Sequence, residues 1–588
     1  MDIQTLKENI VERIKSACDA AFGEAPPEIE VGFPPDVKMG HFGIGCFPMA
    51  KLFHKAPAEI AQQVAGSLPT DEMVTDVSAA GPYLNLSISP DILFGTVCRE
   101  ILDGGQQYGD TSIGRGRRVM DEYLSPNTNK PLHLGHLRNG ALGMAIARMF
   151  EATGHTVVKS ILVNDRGVHI CKSMLAWQRW GQGRTPESTA TKGDHFVGDC
   201  YVRYARESEK DPGLEKEVQQ MLQRWECGDP ETVELWKTMN EWVYDGFSKT
   251  YEDFGLEFDV IYYESDTYKL GKEHIQAGLE NGVFSKDDRG NVVFRLPEDT
   301  FGLEKGGQPK RVTVLRPDGT SLYITQDIAT TIIKKTEENL DYSIWVVGSE
   351  QEHHFKCLFE ILRALGHAWA DDCYHLSYGM VNLPEGKMKS REGKVVDADD
   401  LILELKSLAA EEIRARDPEA ELTEEEVTHR AAVIGVGAIK FYLLRVKPTQ
   451  SISFDPKESI SFDGFTGPYC QYAFARISGI LQKAKASGAD RQRSDFSTLG
   501  NTEELALLQK LMQLPDEVAA SVREINPARL ATYIFNTARA FNQFYNKHPV
   551  LHSDNPSLVA DRLALIAATA EVLKKGLYLL GIDVLENM

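Results

Sequence analysis

Apolar positions recur at helical spacing over Ile3–Ala21 and again over Pro57–Ser67, and the stretch between them, Val31–Gly45, is rich in Gly and Pro. The run Gly81–Ile88 reads as a strand that closes an α+β unit over residues 1–112. From about 115 to 385, short apolar runs alternate with helical patterns. Arg118–Tyr123, Val158–Val163, Tyr342–Val347 and His375–Val381 predict strands, and Leu137–Ala152 predicts a long helix. This alternation is the mark of a doubly wound parallel sheet. Polar helices rich in Glu, Lys and Trp over 183–256 interrupt it and predict an insertion that extends to about 300. Ser321–Ala329 reads as a short strand entering a helix, with Thr325 as its cap. From Asp399 the pattern is nearly all helical, broken by turn clusters near Lys447–Phe454 and Ser487–Asn501. Four parts are expected: 1–112, α+β; 113–398, α/β; 399–460, a helical connector; and 461–588, all-α.

A chain of 588 residues exceeds what one core can organise, which agrees with several domains. Its apolar content of 42% and charged content of 26% describe an ordinary soluble protein. No apolar run approaches the ~20 residues of a membrane span, so no membrane partner is expected. Met1–Phe22 lacks a secretory core. Nine cysteines without a C-x-x-C pair predict reduced thiols, a cytoplasmic setting and no zinc site. The net charge of −22 weighs against non-specific nucleic-acid binding. It leaves room for local basic patches such as Lys305–Arg316 and Arg445–Lys447, set against the acidic face Glu411–Glu426. Charge alone therefore leaves the partner undecided.

Candidate chemistry concentrates between the first predicted strand and the long helix, at Leu124-Ser-Pro-Asn-Thr-Asn-Lys-Pro-Leu-His-Leu-Gly-His-Leu-Arg138. A strand turning into a helix leaves unpaired N–H groups and the positive end of the helix dipole at the turn, where phosphate binds. His133 and His136 flank Gly135, and imidazole N–H donors suit phosphate oxygens as charge builds in a transition state. H-x-G-H by itself also fits a plain surface helix start. The longer string Ser125–His136 resembles the ATP signature of class I aminoacyl-tRNA synthetases, in the form used by arginyl-tRNA synthetases. The resemblance implies a Rossmann-type catalytic domain with a helical insertion, an N-terminal α+β domain and an all-α anticodon-binding domain. It also implies that Pro126, Leu134 and Gly135 bind ATP.

A second segment, Gly386-Lys-Met-Lys-Ser-Arg-Glu-Gly393, is a basic loop flanked by glycines, suited to a leaving pyrophosphate or to a plain surface turn. It resembles the K-M-S-K-S motif of the same class, with Lys387, Met388, Lys389 and Ser390 as its working residues. It departs from that motif at Lys389, Ser390 and Arg391. In arginyl enzymes a lysine just before H-x-G-H compensates, and Lys130 stands there. Which of Lys130, Lys387 and Lys389 stabilises the phosphates most is left open. Asn129 and Asn164-Asp-Arg-Gly167 also depart from the family pattern.

Tyr323 and Asp327, four apart, could converge on one ligand, and a carboxylate beside a phenol suits a guanidinium. Equally, Tyr323 could be core and Asp327 a helix-start charge. Arg316–Asp327 resembles the family's arginine pocket, which implies that Tyr323, Asp327 and Glu264 hold the arginine side chain. By the same resemblance Asn127 and Gln351 hold its amino-acid end. Asp194-His-Phe-Val-Gly-Asp199 is family-like too. Phe462–Ala473 and Ala540–His548 carry tyrosines that could stack bases or fill a core. Both stretches look like the family's anticodon-binding domain, which implies tRNA contacts at Tyr469, Ala473, Tyr545 and Met588, and in the N-terminal unit at Tyr83 and Asn85.

The resemblance implies a monomeric arginine–tRNA ligase. It would use ATP with Mg²⁺, without a tightly bound metal, to form arginyl-adenylate and pass arginine to tRNA(Arg). Arginyl enzymes also typically need bound tRNA before they activate arginine. The alternatives are a class I enzyme for another amino acid and a catalytically inactive RNA-binding paralogue. The paired Tyr323 and Asp327 weigh against the first, and intact His133, Gly135, His136 and Lys387 against the second.

Overall fold

The structure, a computed structural model, describes residues 1–304, 306–320, 322–384, 396–416 and 422–588. It divides into two compact units, one of residues 1–111, 461–521 and 529–588, the other of 112–460 and 522–528. The N-terminal residues thus share a unit with the C-terminal helices, a long-range pairing that no local pattern reveals.

In the first unit, Asp2 accepts the Thr5 amide at 2.7 Å and starts the helix Ile3–Phe22. Its buried Ile3, Leu6, Ile10, Ile14 and Cys18 follow the three- and four-residue spacing of one face. Strands β1 (Phe42–Gly45), β2 (Val74–Ala80) and β3 (Tyr83–Ile88) form an antiparallel sheet in the order β1-β3-β2. Gly81, at φ +58°, makes the tight turn between β2 and β3. The C-terminal part is all helical, from Gly467–Ser487 to Pro556–Leu579. Tyr108 donates to the Leu511 carbonyl at 3.0 Å and Lys575 meets Asp110 at 2.6 Å, which ties residues near 110 to these helices. The buried Asp561 carboxylate accepts Ser494 Oγ, the Phe496 amide, and the Thr498 amide and hydroxyl, and so fixes the loop before the helix Thr502–Met512.

The second unit contributes β4 (Arg118–Glu122), β5 (Thr156–Val163), β6 (Val260–Tyr263), β7 (Phe284–Lys286), β8 (Val292–Arg295), β9 (Arg311–Leu315), β10 (Tyr342–Gly348), β11 (Cys373–Tyr378), β12 (Val381–Asn382) and β13 (Ile452–Ser453). A parallel sheet runs β11-β10-β4-β5-β6, the Rossmann-type core expected of an α/β domain. The chain leaves β4 towards β5 and β6, then returns to build β10 and β11 on the other side. The β4/β10 boundary is therefore the topological switch point, where ligands bind at the carboxyl ends of the strands.

Several expectations are corrected. The range 183–300 is not one insertion: its helices Gly193–Ser208, Gly213–Glu226 and Pro230–Phe254 precede β6, a strand of the main sheet. A separate antiparallel sheet, β7-β8-β9, follows. The strand expected over His375–Val381 ends at Tyr378, and Val381–Asn382 pairs instead with Ile452–Ser453. At the break, a Cβ on Gly379 would lie 2.6 Å from the Gln450 carbonyl carbon, so the chain passes too close there to carry a side chain. Among the described residues after β9 no strand leads into Tyr323, which opens the helix Tyr323–Glu337. Thr325 is not its cap; it is buried and donates to the Val314 carbonyl at 2.5 Å. Finally, the helix Glu424–Leu444 is long and apolar enough to cross a bilayer by length and composition, and 67% of its most apolar window is buried. Gly435 brings it against Leu405 of the helix Ala398–Arg416, where a Cβ would stand 2.9 Å from backbone.

Strand β4 carries two acids at its carboxyl end. Glu122 is paired with Lys334, whereas Asp121 is 1% exposed and its two carboxyl oxygens have no partner among the described residues. Burial, and secondarily Glu122, raises the Asp121 carboxyl well above its usual range. The folded state therefore holds a proton that the unfolded chain releases near pH 4, and stability falls as pH rises above that point. Asp121→Asn removes this slope. We expect it to be more stable than the parent at pH 7 by about 1–3 kcal/mol, with the gain shrinking towards pH 4. Thermal unfolding of both proteins across that range checks it; equal melting temperatures at pH 7 would contradict it.

Candidate active site

At the carboxyl end of β4 the chain takes two consecutive left-handed residues, Leu124 (φ +74°) and Ser125 (φ +42°), a costly conformation for side-chain-bearing residues. Asn139 holds this turn by accepting the Leu124 amide at 2.6 Å and donating to the Val346 carbonyl of β10 at 2.7 Å. Asn164, just past β5, donates its side-chain amide to the Ser125 carbonyl at 3.1 Å. Its backbone pairs with Pro126 and Thr128. Pro126 is buried, while Asn127 and Lys130 are exposed.

The helix behind this loop is Leu134–Ala152, three residues longer at its start than its apolar pattern indicates. His133 is its N-cap. His133 Nδ1 accepts the Gly135 amide at 3.1 Å, and His136 Nδ1 accepts the His133 amide at 3.0 Å, a reciprocal cap built from two imidazoles. A ring nitrogen that accepts is unprotonated, so each neutral ring carries its hydrogen on Nε2. The rings lie 3.8 Å apart. Burial, then the charge of Lys130, lowers His133 to about 4. Burial, then His133, holds His136 well below the imidazole range. Both are neutral at pH 7 and offer directed Nε2–H donors. A Cβ on Gly135 would meet the His133 ring at 3.0 Å, which accounts for the glycine between them.

One expectation about this turn is overturned. The helix-start amides are not left for a ligand: Leu134 N–H donates to the Val396 carbonyl at 2.9 Å, and Gly135 N–H to His133. Among the described residues, the side-chain donors this turn presents are the Nε2–H groups of the two imidazoles and the exposed Lys130 ammonium. Lys387, Met388, Lys389 and Ser390 lie outside the described residues.

A second group gathers past the ends of β6 and β10. Glu264 is 8% exposed and its carboxyl is pushed up to about 7, by burial first, with Arg166 opposing and Asp165 and Asp327 adding to the rise. Arg166 Nη1 stands 3.9 Å from Glu264, and its guanidinium lies 3.9 Å over the Tyr268 ring. Asp165 is buried and accepts the Ser265 amide, the Ser265 hydroxyl and the Tyr244 hydroxyl, so it positions the segment that carries Glu264. Asp327 lies one turn into its helix, and Gln326 beside it donates to Thr267 at 3.2 Å, tying that helix to the Glu264 turn. Tyr323, one turn earlier, is 77% exposed and so is not core. Gln351 is exposed at the start of the helix Glu352–Ala364. From that helix His354 Nε2 reaches Asp327 at 2.6 Å, a partner that sequence reasoning missed. The pair His353-His354 after a strand was visible, but which ring faces Asp327 depends on helix phase.

The residues implied in tRNA contact fare unevenly. Tyr83 is 48% exposed, edge-on to the exposed Phe47, while Asn85 is 3% exposed. Tyr469 is half-buried, accepts from Asn542 at 2.9 Å and leans on Phe535. Tyr545 is half-buried, stacked on Phe541 with the Arg476 guanidinium over its ring. Met588 is half-buried. Ala473 is fully buried, so it presents no surface to an RNA.

Among the described residues one group, Asp194, His195 and Asp399, has donor atoms within 4.8 Å of one another, as a metal would need. The Lys192 ammonium already sits 2.6 Å from Asp399 and 3.3 Å from Asp194, so the positive charge is supplied by the chain itself.

Comparison with known proteins covers nearly the whole chain. The family model "tRNA synthetases class I (R), catalytic domain" matches residues 97–455, the arginyl tRNA synthetase N-terminal domain matches 4–88, and the DALR anticodon binding domain matches 470–588. The chain is 45% identical over 572 residues to the arginine–tRNA ligase of Treponema denticola, covering 96% of this chain and 95% of that one. It is 41% identical over 609 residues to the arginine–tRNA ligase of Porphyromonas gingivalis, covering 99% and 100%. Among solved structures, Thermus thermophilus arginyl-tRNA synthetase superposes with a TM-score of 0.80 at 27% identity, covering 99% and 100%. Plasmodium falciparum arginyl-tRNA synthetase gives 0.75 at 17%, covering 99% of each chain, a likeness of fold.

The neutral histidines make stability depend on pH. A fall for His133 from 6.5 to about 4 means that the unfolded chain takes up a proton first as pH drops. Stability is then full above pH ~6.5 and declines towards pH 4, by up to roughly 3 kcal/mol for this one ring. His133→Asn, with a cap that does not titrate, is expected to flatten that acid limb of thermal unfolding. An unchanged limb would mean that the ring titrates normally in the folded protein.

Proposed function

The chain belongs to the arginyl-tRNA synthetase family of class I aminoacyl-tRNA synthetases, and on that premise we propose how its residues carry the reaction. It is an ATP-dependent arginine–tRNA ligase, so the alternatives of another amino acid or an inactive paralogue fall away. In the proposed sequence the arginine carboxylate attacks the α-phosphorus in line and pyrophosphate leaves. A ribose hydroxyl at the 3′ end of tRNA(Arg) then attacks the acyl carbon, loses its proton, and releases AMP. His133 and His136 donate from Nε2 to phosphate oxygens, and Lys130 adds positive charge. Pro126, Leu134 and Gly135 line the ATP side, and Lys387, Met388, Lys389 and Ser390 belong to the same proposal by family likeness. Mg²⁺ arrives with ATP as part of the substrate.

Glu264 and Asp327 face the guanidinium, Tyr323 covers it, and Asn127 and Gln351 hold the amino-acid end. The observation that carries this pocket is the buried Glu264 carboxyl, pushed up to about 7 by burial first and with Asp327 among the acids adding to the rise, a cost that a bound cation would relieve. Tyr83, Tyr469, Tyr545 and Met588 are proposed to touch tRNA, with the ring of Tyr545 as a stacking surface; Asn85, like Ala473, is buried. The proposal includes a need for tRNA before arginine is activated, and a cytoplasmic monomer. Nine unpaired cysteines, six of them buried, support a reducing compartment.

His136→Ala is expected to lower the aminoacylation rate by about two orders of magnitude or more, the scale of one lost oriented donor. Normal turnover in a folded variant would take His136 out of the chemistry. Asp327→Asn is expected to weaken arginine by roughly 1.5–3 kcal/mol, read as a higher Michaelis constant for arginine with that for ATP little changed. An arginine constant within twofold of the parent would place the guanidinium elsewhere.

A further inference from the structure

The family-like stretch Asp194–Asp199 has no part in the chemistry above, yet its helix, Gly193–Ser208, reaches the signature loop by two routes. The first is direct contact. A Cβ on Gly198 would stand 2.8 Å from Pro131 Cδ and 3.6 Å from Lys130 Cα, so the helix lies flush against the residues that lead into His133. The second runs through residues 396–399, where the helix Ala398–Arg416 begins. His195 Nε2 lies 2.9 Å from Asp399 and 3.6 Å from Asp397, and Lys192 Nζ lies 2.6 Å from Asp399. Thr250, from the helix Pro230–Phe254, donates to the other Asp399 oxygen at 2.9 Å. This acid-rich segment is in turn laced to the signature. Leu134 N–H donates to Val396, Ala398 N–H donates to Leu132 at 3.0 Å, and His133 and Asp397 form a bridge between those bonds.

We propose that Lys192, His195 and Gly198 are positioning residues for adenylate formation, which set where Lys130–His133, and with them the two Nε2–H donors, stand. A displacement of the loop by a fraction of an ångström moves donors that act only when aligned, so it costs rate more than folding. The charges close on themselves. Lys192 and His195 face Asp194, Asp397 and Asp399, and the bond to Asp399 raises the His195 pKa. Loss of the His195 proton would leave Lys192 alone against three acids and loosen the 396–399 segment.

The full-length enzyme tests this in ATP–pyrophosphate exchange with tRNA present, beside thermal unfolding. Gly198→Ala is expected to lower kcat at least tenfold, with the arginine KM within twofold and the melting temperature nearly unchanged. Adding Pro131→Ala removes the Cδ that the new methyl meets. The double variant should therefore come within threefold of Pro131→Ala alone, a coupling that general destabilisation would not produce. His195→Ala should lose about tenfold in kcat, while His195→Gln, which keeps a donor, stays within threefold at pH 7 and lacks the alkaline decline of the parent. If Gly198→Ala does not fold, the two His195 variants decide. Folded Gly198→Ala and His195→Ala enzymes with kcat within twofold of the parent would overturn the proposal. So would Gly198→Ala and Pro131→Ala losses that simply multiply.

Discussion

The Arg138 guanidinium is the interaction on which the catalytic unit turns. It is fully buried one turn beyond Leu134, and among the described residues no carboxylate pairs with it. Four backbone carbonyls surround it instead: Gly379 at 2.6 Å, Gln450 at 2.7 Å, Pro448 at 2.9 Å and Met380 at 3.4 Å. Burial lowers its pKa to about 10, so it stays charged at pH 7 and the carbonyl dipoles offset the cost of desolvation. A planar fork with donors on both arms can satisfy four carbonyls on two chain segments; a lysine, with three donors on one atom, cannot. The same bonds hold the chain leaving β11 beside the turn before β13, which sets the short parallel pairing that follows. Asn139, the next residue, ties the ends of β4 and β10. Two adjacent side chains thus join the signature helix to three strands at the switch point, and the strained turn at Leu124 and Ser125 persists because it is over-determined from behind.

That rigidity explains how an anion site can rest on uncharged groups. With both Nδ1 atoms committed to backbone amides, the rings of His133 and His136 cannot rotate to suit a substrate. Their Nε2–H donors are aimed before anything binds. Neutral donors of fixed direction attract a ground-state phosphate weakly and gain as charge develops at one place, which is the differential binding that catalysis requires. Lys130 stands exposed in solvent, where on the proposed function its charge attracts ATP without the cost of burial.

Much of this was legible in sequence because the chemistry is local. H-x-G-H, the preceding strand and the following helix occupy one continuous run, and their spacing fixes the caps. The alternation of short apolar runs with helices likewise announces a parallel sheet. What the sequence hid was set by contacts between distant segments. β6 was concealed inside a helical insertion because three half-buried residues and the exposed Ile261 make no pattern. The Leu134 amide looked free because its partner, Val396, lies far along the chain. Asn85 and Ala473, plausible RNA contacts by family position, are buried by packing that only the fold supplies. The pairing of His354 with Asp327 depends on how two helices are phased against each other.

In the pocket proposed for arginine, burial acts on acids as it acts on the two imidazoles, disfavouring the charged form. Glu264, nearly sealed and pushed up to about 7, carries its full charge only when a cation shares the site. Asp327, partly open and capped by His354, has one oxygen engaged and one still available. On the proposed function a guanidinium entering here lies beside both acids, and its positive charge favours the ionised form of Glu264 that burial disfavours. A neutral amino acid of similar length would leave the cost of burying that carboxyl unrelieved, so the proposed pocket discriminates by charge as well as by shape. This holds only because Asp165, with its three donors, keeps the Glu264 turn from relaxing towards solvent.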